Sequence, residues 1–243
     1  MLYLDMEKLI TDIKSFLIKH QTFISNNSQK ISILFQISAY NDVVEYYKRR
    51  NFVIKPKNLI NGEFRYKQTP TGHPHNFSYF SILKSYKKQN YEFYIYNNIA
   101  VESGISKGIF VCPDIVIANV DSICYLYDKE YYFNGLKKYA YIENKNLQSF
   151  CEVKHYTPFP ELLISFIGLL QELTNDIYKN KRNNTQLKHL APSLILSGEH
   201  TRPTRQMAQI LEKRYRINIF DGLFVKRSKI KSIQYHHATV GTK

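Results

Sequence analysis

Pro113-Asp114-Ile115-Val116-Ile117-Ala118 and, further on, Cys151-Glu152-Val153-Lys154 are the two stretches that decide how this chain is read. The first is an apolar, β-branched run with one acid at its opening, which predicts a buried strand. An unpaired buried carboxylate is costly, so Asp114 must meet solvent, a cation or a partner at the strand's end. In the second, side chains alternate along a strand, so Glu152 and Lys154 share one face and Val153 takes the other. If the two strands pair, Asp114 joins that carboxylate and ammonium around one hard cation.

The flanking sequence supplies a fold for these strands. Residues 2–17 have apolar residues at helical spacing, and residues 31–50 form a second predicted helix. Residues 56–74, with Gly62, Gly72 and three prolines, read as an irregular connection. Aromatic and β-branched runs at 77–85, 91–102 and 110–119 read as strands, and 123–132 with 137–142 as a hairpin around Asn134-Gly135. A short strand at 150–156 precedes a helix opened by Pro160, apolar on nearly every face and therefore expected inside. A strand at 192–196, a basic helix at 202–214 and a strand at 217–225 complete the pattern. This order predicts an α/β fold with a mixed central sheet flanked by helices. Residues 1–30 read as an N-terminal helical extension, 31–225 as the main domain, and 226–243 as a basic C-terminal tail.

Charge points to the class of partner. Across 243 residues, 34 Lys and Arg stand against 20 Asp and Glu, a net charge of +14. Such an excess draws a protein toward polyanions, nucleic acid above all. Cys112, Cys124 and Cys151 are odd in number and lack the spacing of a zinc or redox motif, which fits a reducing cytoplasm. No stretch is apolar for long enough to span a membrane, and the charged N-terminus does not read as a signal peptide. A cytoplasmic location is expected.

Pro113-Asp114 followed by Glu152-Val153-Lys154 resembles the signature of the PD-(D/E)XK nuclease superfamily, the restriction-endonuclease-like fold. The resemblance covers roughly residues 31–225. It implies an αβββαβ core, with the aspartate on the second core strand and Glu-x-Lys on the third. It also implies a magnesium-dependent endonuclease, with manganese able to substitute, acting on DNA more readily than on RNA. Asp114 and Glu152 would be the metal ligands, and Lys154 would orient the attacking water or hold transition-state charge. A role in restriction or anti-phage defence follows by analogy of fold, and cutting both strands would call for a homodimer or a partner defence protein.

The chain departs from that pattern in places. The separation, 152 − 114 = 38 positions, is long and requires the 123–142 hairpin to be an insertion. Asp121 is nearer in sequence to Glu152 but lacks the preceding proline and lies at the strand's far end. Many members supply a further acid from the first core helix; Asp42 and Glu45 are candidates, as is Glu102 on the preceding strand, and Glu45 is the preferred one. Some members carry glutamine and tyrosine after Glu-x-Lys; Gln171 is present, but Asn175 stands where the tyrosine would fall.

Other residues fit a supporting role. Ser197-Gly198-Glu199-His200-Thr201-Arg202-Pro203-Thr204-Arg205 leads from a strand into a helix, where backbone N–H groups suit a phosphate. His200, Arg202 and Arg205 are the expected nucleic-acid contacts. His155 points to the face opposite Lys154 and reads as structural. Tyrosines beside lysines, at Tyr46-Tyr47-Lys48 and Tyr86-Lys87-Lys88, could stack on unpaired bases, but most read as half-buried sheet and helix residues. A catalytically inactive nucleic-acid-binding module of the same fold satisfies the charge as well, but has no need of two acids facing phosphates.

Overall fold

A computed structural model describes residues 10, 11, 14, 15, 31–126, 139–173, 188–222 and 237–239. Helix α1 (Ile31–Arg49) is followed by β1 (Val53–Lys57), β2 (Tyr79–Tyr86) and β3 (Gln89–Asn97). Next come β4 (Ala100–Glu102), β5 (Phe110–Val111), β6 (Ile115–Asn119), β7 (Ile123–Leu126), β8 (Tyr139–Ile142) and β9 (Leu147–Lys154). The rest comprises α2 (Pro160–Leu173), β10 (Lys188–Leu190), β11 (Ser193–Leu196), α3 (Arg202–Tyr215), β12 (Asn218–Phe220) and β13 (His237–Thr239).

Among the described residues, seven strands form the central sheet in the order β1-β2-β3-β6-β9-β11-β12. β1 through β9 pair antiparallel, whereas β9, β11 and β12 run parallel. The change of direction at β9 follows from its connection, because α2 crosses over before β11 and parallel neighbours need such a crossover. The fold is thus α/β, with a mixed sheet between helices, as the sequence order predicts.

Side-chain alternation builds two cores from one sheet. Ile82, Ile95, Ile115, Ile117 and Val153 face α1, where they meet Phe35, Ile37, Tyr40, Val43 and Tyr47. Val116, Ala118, Phe150, Leu194 and Leu196 face the other way, against Leu163, Phe166, Ile167 and Leu170 of α2 and Ala208 and Leu211 of α3. Adjacent residues Ile115 and Val116 therefore lie in different cores, which fixes the register: a one-residue slip would exchange the faces.

Several boundaries differ from expectation for identifiable reasons. Residues 53–57 form the edge strand β1 despite Pro56, because an edge strand can spare one N–H. The run at 91–102 breaks at Asn98, which adopts a left-handed φ of 47°, and β4 turns away into a second sheet. The run at 110–119 likewise breaks at Pro113-Asp114. The second sheet, ordered β5-β4-β8-β7, contains the expected hairpin as β7 and β8. Its turn at Asn134-Gly135 lies outside the described residues, as do Asn175, most of the 2–17 helix and most of the basic tail. β10 and β13 pair with each other, a contact the sequence pattern does not announce. Helix α2 buries one stripe only, leaving Ile164 half exposed, so its uniform apolarity overstates its burial. Among the described residues no helix is long and apolar enough to cross a membrane.

Candidate active site

β6 and β9 bring the two sequence motifs together. Their register pairs Ile115 with Cys151, so the next residues outward, Asp114 and Glu152, face each other across the end of the ladder. The Asp114 carboxylate closes this end by accepting a hydrogen bond from the Val153 N–H to Oδ2 at 2.7 Å. Lys154 Nζ lies 2.6 Å from Glu152 Oε1 and 3.6 Å from Asp114 Oδ2. The three residues thus form one cluster, mostly buried but open at its edge: the acids' side chains are 16–17% exposed and that of Lys154 34%.

Burial dominates the electrostatics. It raises Asp114 above the usual carboxylate range against the pull of Lys154 and the Val153 N–H. Burial, and then the Asp114 charge beside it, pushes Glu152 up to about 7, with Lys154 opposing both. Burial alone would lower Lys154, but the two carboxylates outweigh it and hold the ammonium above its ordinary value. Two partly desolvated acids therefore share one cation, an arrangement that needs positive charge to stay ionised.

The donor set suits a hard divalent ion. Glu152 Oε2 is buried and has no hydrogen-bond partner among the described residues, a free acceptor beside Asp114. Two carboxylates with an open edge match the preference of Mg²⁺ for few protein ligands and several retained waters. The Lys154 ammonium sits against both acids as a cation does. Among the described residues no group of three or more His, Cys, Asp or Glu is gathered as a metal site, so the pair stands without a third acid.

Helix α1 does reach the cluster, though through a residue absent from the sequence reading. Gln36 Nε2 donates to Asp114 Oδ1 at 2.8 Å and to Asn98 Oδ1 at 3.0 Å. Glu45 is nine residues further along α1, roughly 13 Å at 1.5 Å of rise per residue, and Asp42 about 9 Å. The residue of α1 that reaches the cluster is therefore Gln36, whereas the expected Glu45 lies about two and a half turns along and on the opposite side of the helix. Glu102 is also elsewhere: its Oε1 accepts from the Gly108 N–H in the second sheet. Asp121 lies beyond the opposite end of β6 from Asp114.

Asn98 and Lys67 form a second layer behind Asp114. The Asn98 N–H donates to the Asp114 carbonyl at 3.0 Å, and its Nδ2 to the Lys67 carbonyl at 2.8 Å. Lys67 Nζ donates to the carbonyls of Thr69, Pro70, Thr71 and Asn98. Burial lowers this lysine to about 8. The chain Lys67–Asn98–Gln36–Asp114 pins the aspartate from both backbone and side chain. The turn residue Asn98 between two apolar runs was the available signal; a lysine in a polar loop gives none.

The loop expected to contact nucleic acid borders the same end of the sheet. β11 pairs Leu196 with Lys154, then the Ser197 N–H donates to the Lys154 carbonyl at 3.2 Å and the Gly198 N–H to that of Tyr156 at 3.1 Å. His200 follows, its backbone N–H held by Asp221 Oδ2 at 2.8 Å, while both ring nitrogens are buried without partners among the described residues. Burial lowers this imidazole's pKa despite Asp221. Arg202 and Arg205 are exposed on the first turns of α3, whose N-cap Thr201 makes no side-chain capping bond. His155 faces the α1 side, 6.0 Å from the Phe35 ring, in keeping with a structural role. Tyr46 and Tyr47 are core residues rather than stacking platforms. Against known protein families, curated proteins and solved structures alike, the chain finds no match.

Proposed function

We propose that this protein is a metal-dependent endonuclease of restriction-endonuclease-like fold that hydrolyses phosphodiester bonds in DNA. The observation that carries the reading is the meeting of Asp114, Glu152 and Lys154 at one sheet end, with a Glu152 oxygen left unpartnered. The sequential strand order β3-β6-β9-β11, with α1 on one face and α2 on the other, supports the αβββαβ core that the motif implies. The net charge of +14 supports a polyanionic substrate.

Asp114 and Glu152 would hold Mg²⁺. When bound, the cation lowers the pKa of a water and neutralises charge on the phosphodiester. The chain's own residues do the rest. Gln36 and the Val153 N–H fix both Asp114 oxygens, so the carboxylate keeps one orientation. Lys154, kept protonated by its two acids, donates to a phosphate oxygen as charge develops there. Arg202, Arg205 and the uncapped N-terminus of α3 grip the neighbouring backbone phosphates.

Incubating the protein with supercoiled plasmid, linear DNA, single strands and RNA, with Mg²⁺ or EDTA, tests the reading. Cleavage that requires metal and disappears in both Glu152→Ala and Lys154→Ala is expected. Binding without cutting would leave only an inactive nucleic-acid-binding module.

A further inference from the structure

Near the candidate active site lies a cavity of about 300 Å³ walled by tyrosines, which the cleavage chemistry does not use. Tyr79, Tyr94 and Tyr96 form its floor as a packed trio, with ring centroids 4.8 Å apart for Tyr79–Tyr94 and for Tyr79–Tyr96. Tyr125 also lines the cavity. His73 stacks on the Tyr125 ring at 5.2 Å with an interplanar angle of 11°, and the Tyr125 hydroxyl shares a hydrogen bond with His75 Nε2 at 3.2 Å.

Lys67 Nζ, Asn58 Nδ2 and the Ser78 hydroxyl, which belong to residues lining the cavity, already donate to backbone carbonyls, and two acceptors stand beside them. Asp121 lines it with an exposed carboxylate, and Asn97 lines it with a buried Oδ1 that has no hydrogen-bond partner among the described residues. Aromatic surfaces combined with waiting acceptors suit a flat heterocycle that carries N–H donors. One end of the cavity approaches the acids, while Asp121 marks the other, beyond the far end of β6. Tyr96 lies opposite Val116, two residues beyond Asp114 on β6, about 7 Å of strand rise. Asn97 adjoins Asn98, whose N–H holds the Asp114 carbonyl.

We propose that this cavity is a nucleobase-binding site that takes one unpaired base of the substrate strand, preferring bases with an exocyclic amino group. The source of the base rests on the nuclease reading; the pocket's affinity for a base does not. Seating a base there requires it to leave the stack, so the substrate is single-stranded at that position or has the base turned out. Adenine, guanine and cytosine each offer an amino group to Asp121 and Asn97, which thymine lacks.

The test titrates the full chain with adenosine, guanosine, cytidine and thymidine, followed by saturation-transfer NMR. Saturable binding is expected for the first three, weaker for thymidine. Tyr125→Ala should weaken it about tenfold, the scale of one stacked base, while Tyr125→Phe retains it. Asp121→Asn, an exposed change, should narrow the gap to thymidine. Glu152→Ala should leave nucleoside binding as it was. Absence of saturable binding by every nucleoside, or binding indifferent to both Tyr125→Ala and Asp121→Asn, overturns the proposal. Metal-dependent cleavage without nucleoside binding removes the pocket alone, whereas nucleoside binding without cleavage removes the nuclease reading alone.

Discussion

Gln36 Nε2 donates to Asp114 Oδ1 across 78 positions of sequence, joining α1 to the acid that opens β6. The bond orients the carboxylate and uses an amide where a further acid was expected. Replacing it with an acid therefore changes the site's charge without moving its backbone. Gln36→Glu should bind Mg²⁺ more tightly than the native chain in calorimetry and be less stable without metal, since three acids then share one ammonium. Gln36→Ala should lose roughly 1.5–3 kcal/mol of unfolding free energy, the scale of a hydrogen bond to a charged group. Equal Mg²⁺ affinity in all three proteins would show that Gln36 does not touch the metal's surroundings.

Why Gln36 escaped the sequence, while Asp114, Glu152 and Lys154 did not, is a matter of where the signal resides. A carboxylate opening an apolar strand is locally improbable, and Glu-x-Lys reports a shared face through strand alternation alone. The strand order and the sheet's two apolar faces are likewise written in period-two runs. Gln36 sits in a helix with Ser32, Ser38 and Asn41, polar residues that all look solvated, and only tertiary packing shows which one meets Asp114. Asn98 and Lys67 bond largely to backbone carbonyls brought in by the fold, which carry no sequence signature beyond a turn. The break at Asn98 was hidden because both flanks, 91–97 and 99–102, are strand-like and no proline or glycine stands between them.

Glu152 gives a pH-dependent prediction. Burial followed by the Asp114 charge raises its pKa to about 7 in the folded, metal-free chain, against the ordinary 4.5. The folded state then binds more protons than the unfolded state between these values, so stability falls as pH rises through that window. The contribution is fully present below about 4.5 and is lost by the time pH passes about 7. The melting temperature of the metal-free protein should therefore decline from pH 5 to pH 8 by roughly a few degrees. Mg²⁺ should restore it most strongly at the alkaline end, and Glu152→Gln should flatten the profile. A native profile already flat without metal would contradict the buried, cation-seeking carboxylate.

Lys154 holds two acids that would otherwise repel each other. Lys154→Met keeps the aliphatic length and removes the charge, leaving Asp114 and Glu152 without their cation. Breaking a fully buried pair costs about 3–5 kcal/mol. The one-third exposure of Lys154 argues for roughly 2 kcal/mol instead. Denaturant midpoints in EDTA should show that loss, and saturating Mg²⁺ should recover most of it. Cleavage should stay absent even with the metal present, because no ammonium faces the developing charge. Stability lost but not recovered by Mg²⁺ would mean that the two acids do not share a cation site.

Arg202 and Arg205 lead into a prediction on salt. Both are exposed on the first turns of α3, next to a loop that hydrogen-bonds to the backbone of Lys154 and Tyr156. Each phosphate contact releases condensed counterions, so log affinity for duplex DNA should fall linearly with log salt, by close to one unit of slope per contact. Arg202→Ala and Arg205→Ala should each reduce that slope by about 1 and leave the melting temperature unchanged, being surface truncations. Lys55→Ala, on the distant edge strand β1, should alter neither. Fluorescence anisotropy in EDTA over a salt series measures the slope with cleavage switched off. Equal slopes for the native protein and both arginine variants would detach α3 from the DNA, and would leave the basic charge as a property of the whole surface rather than of the face that borders Glu152.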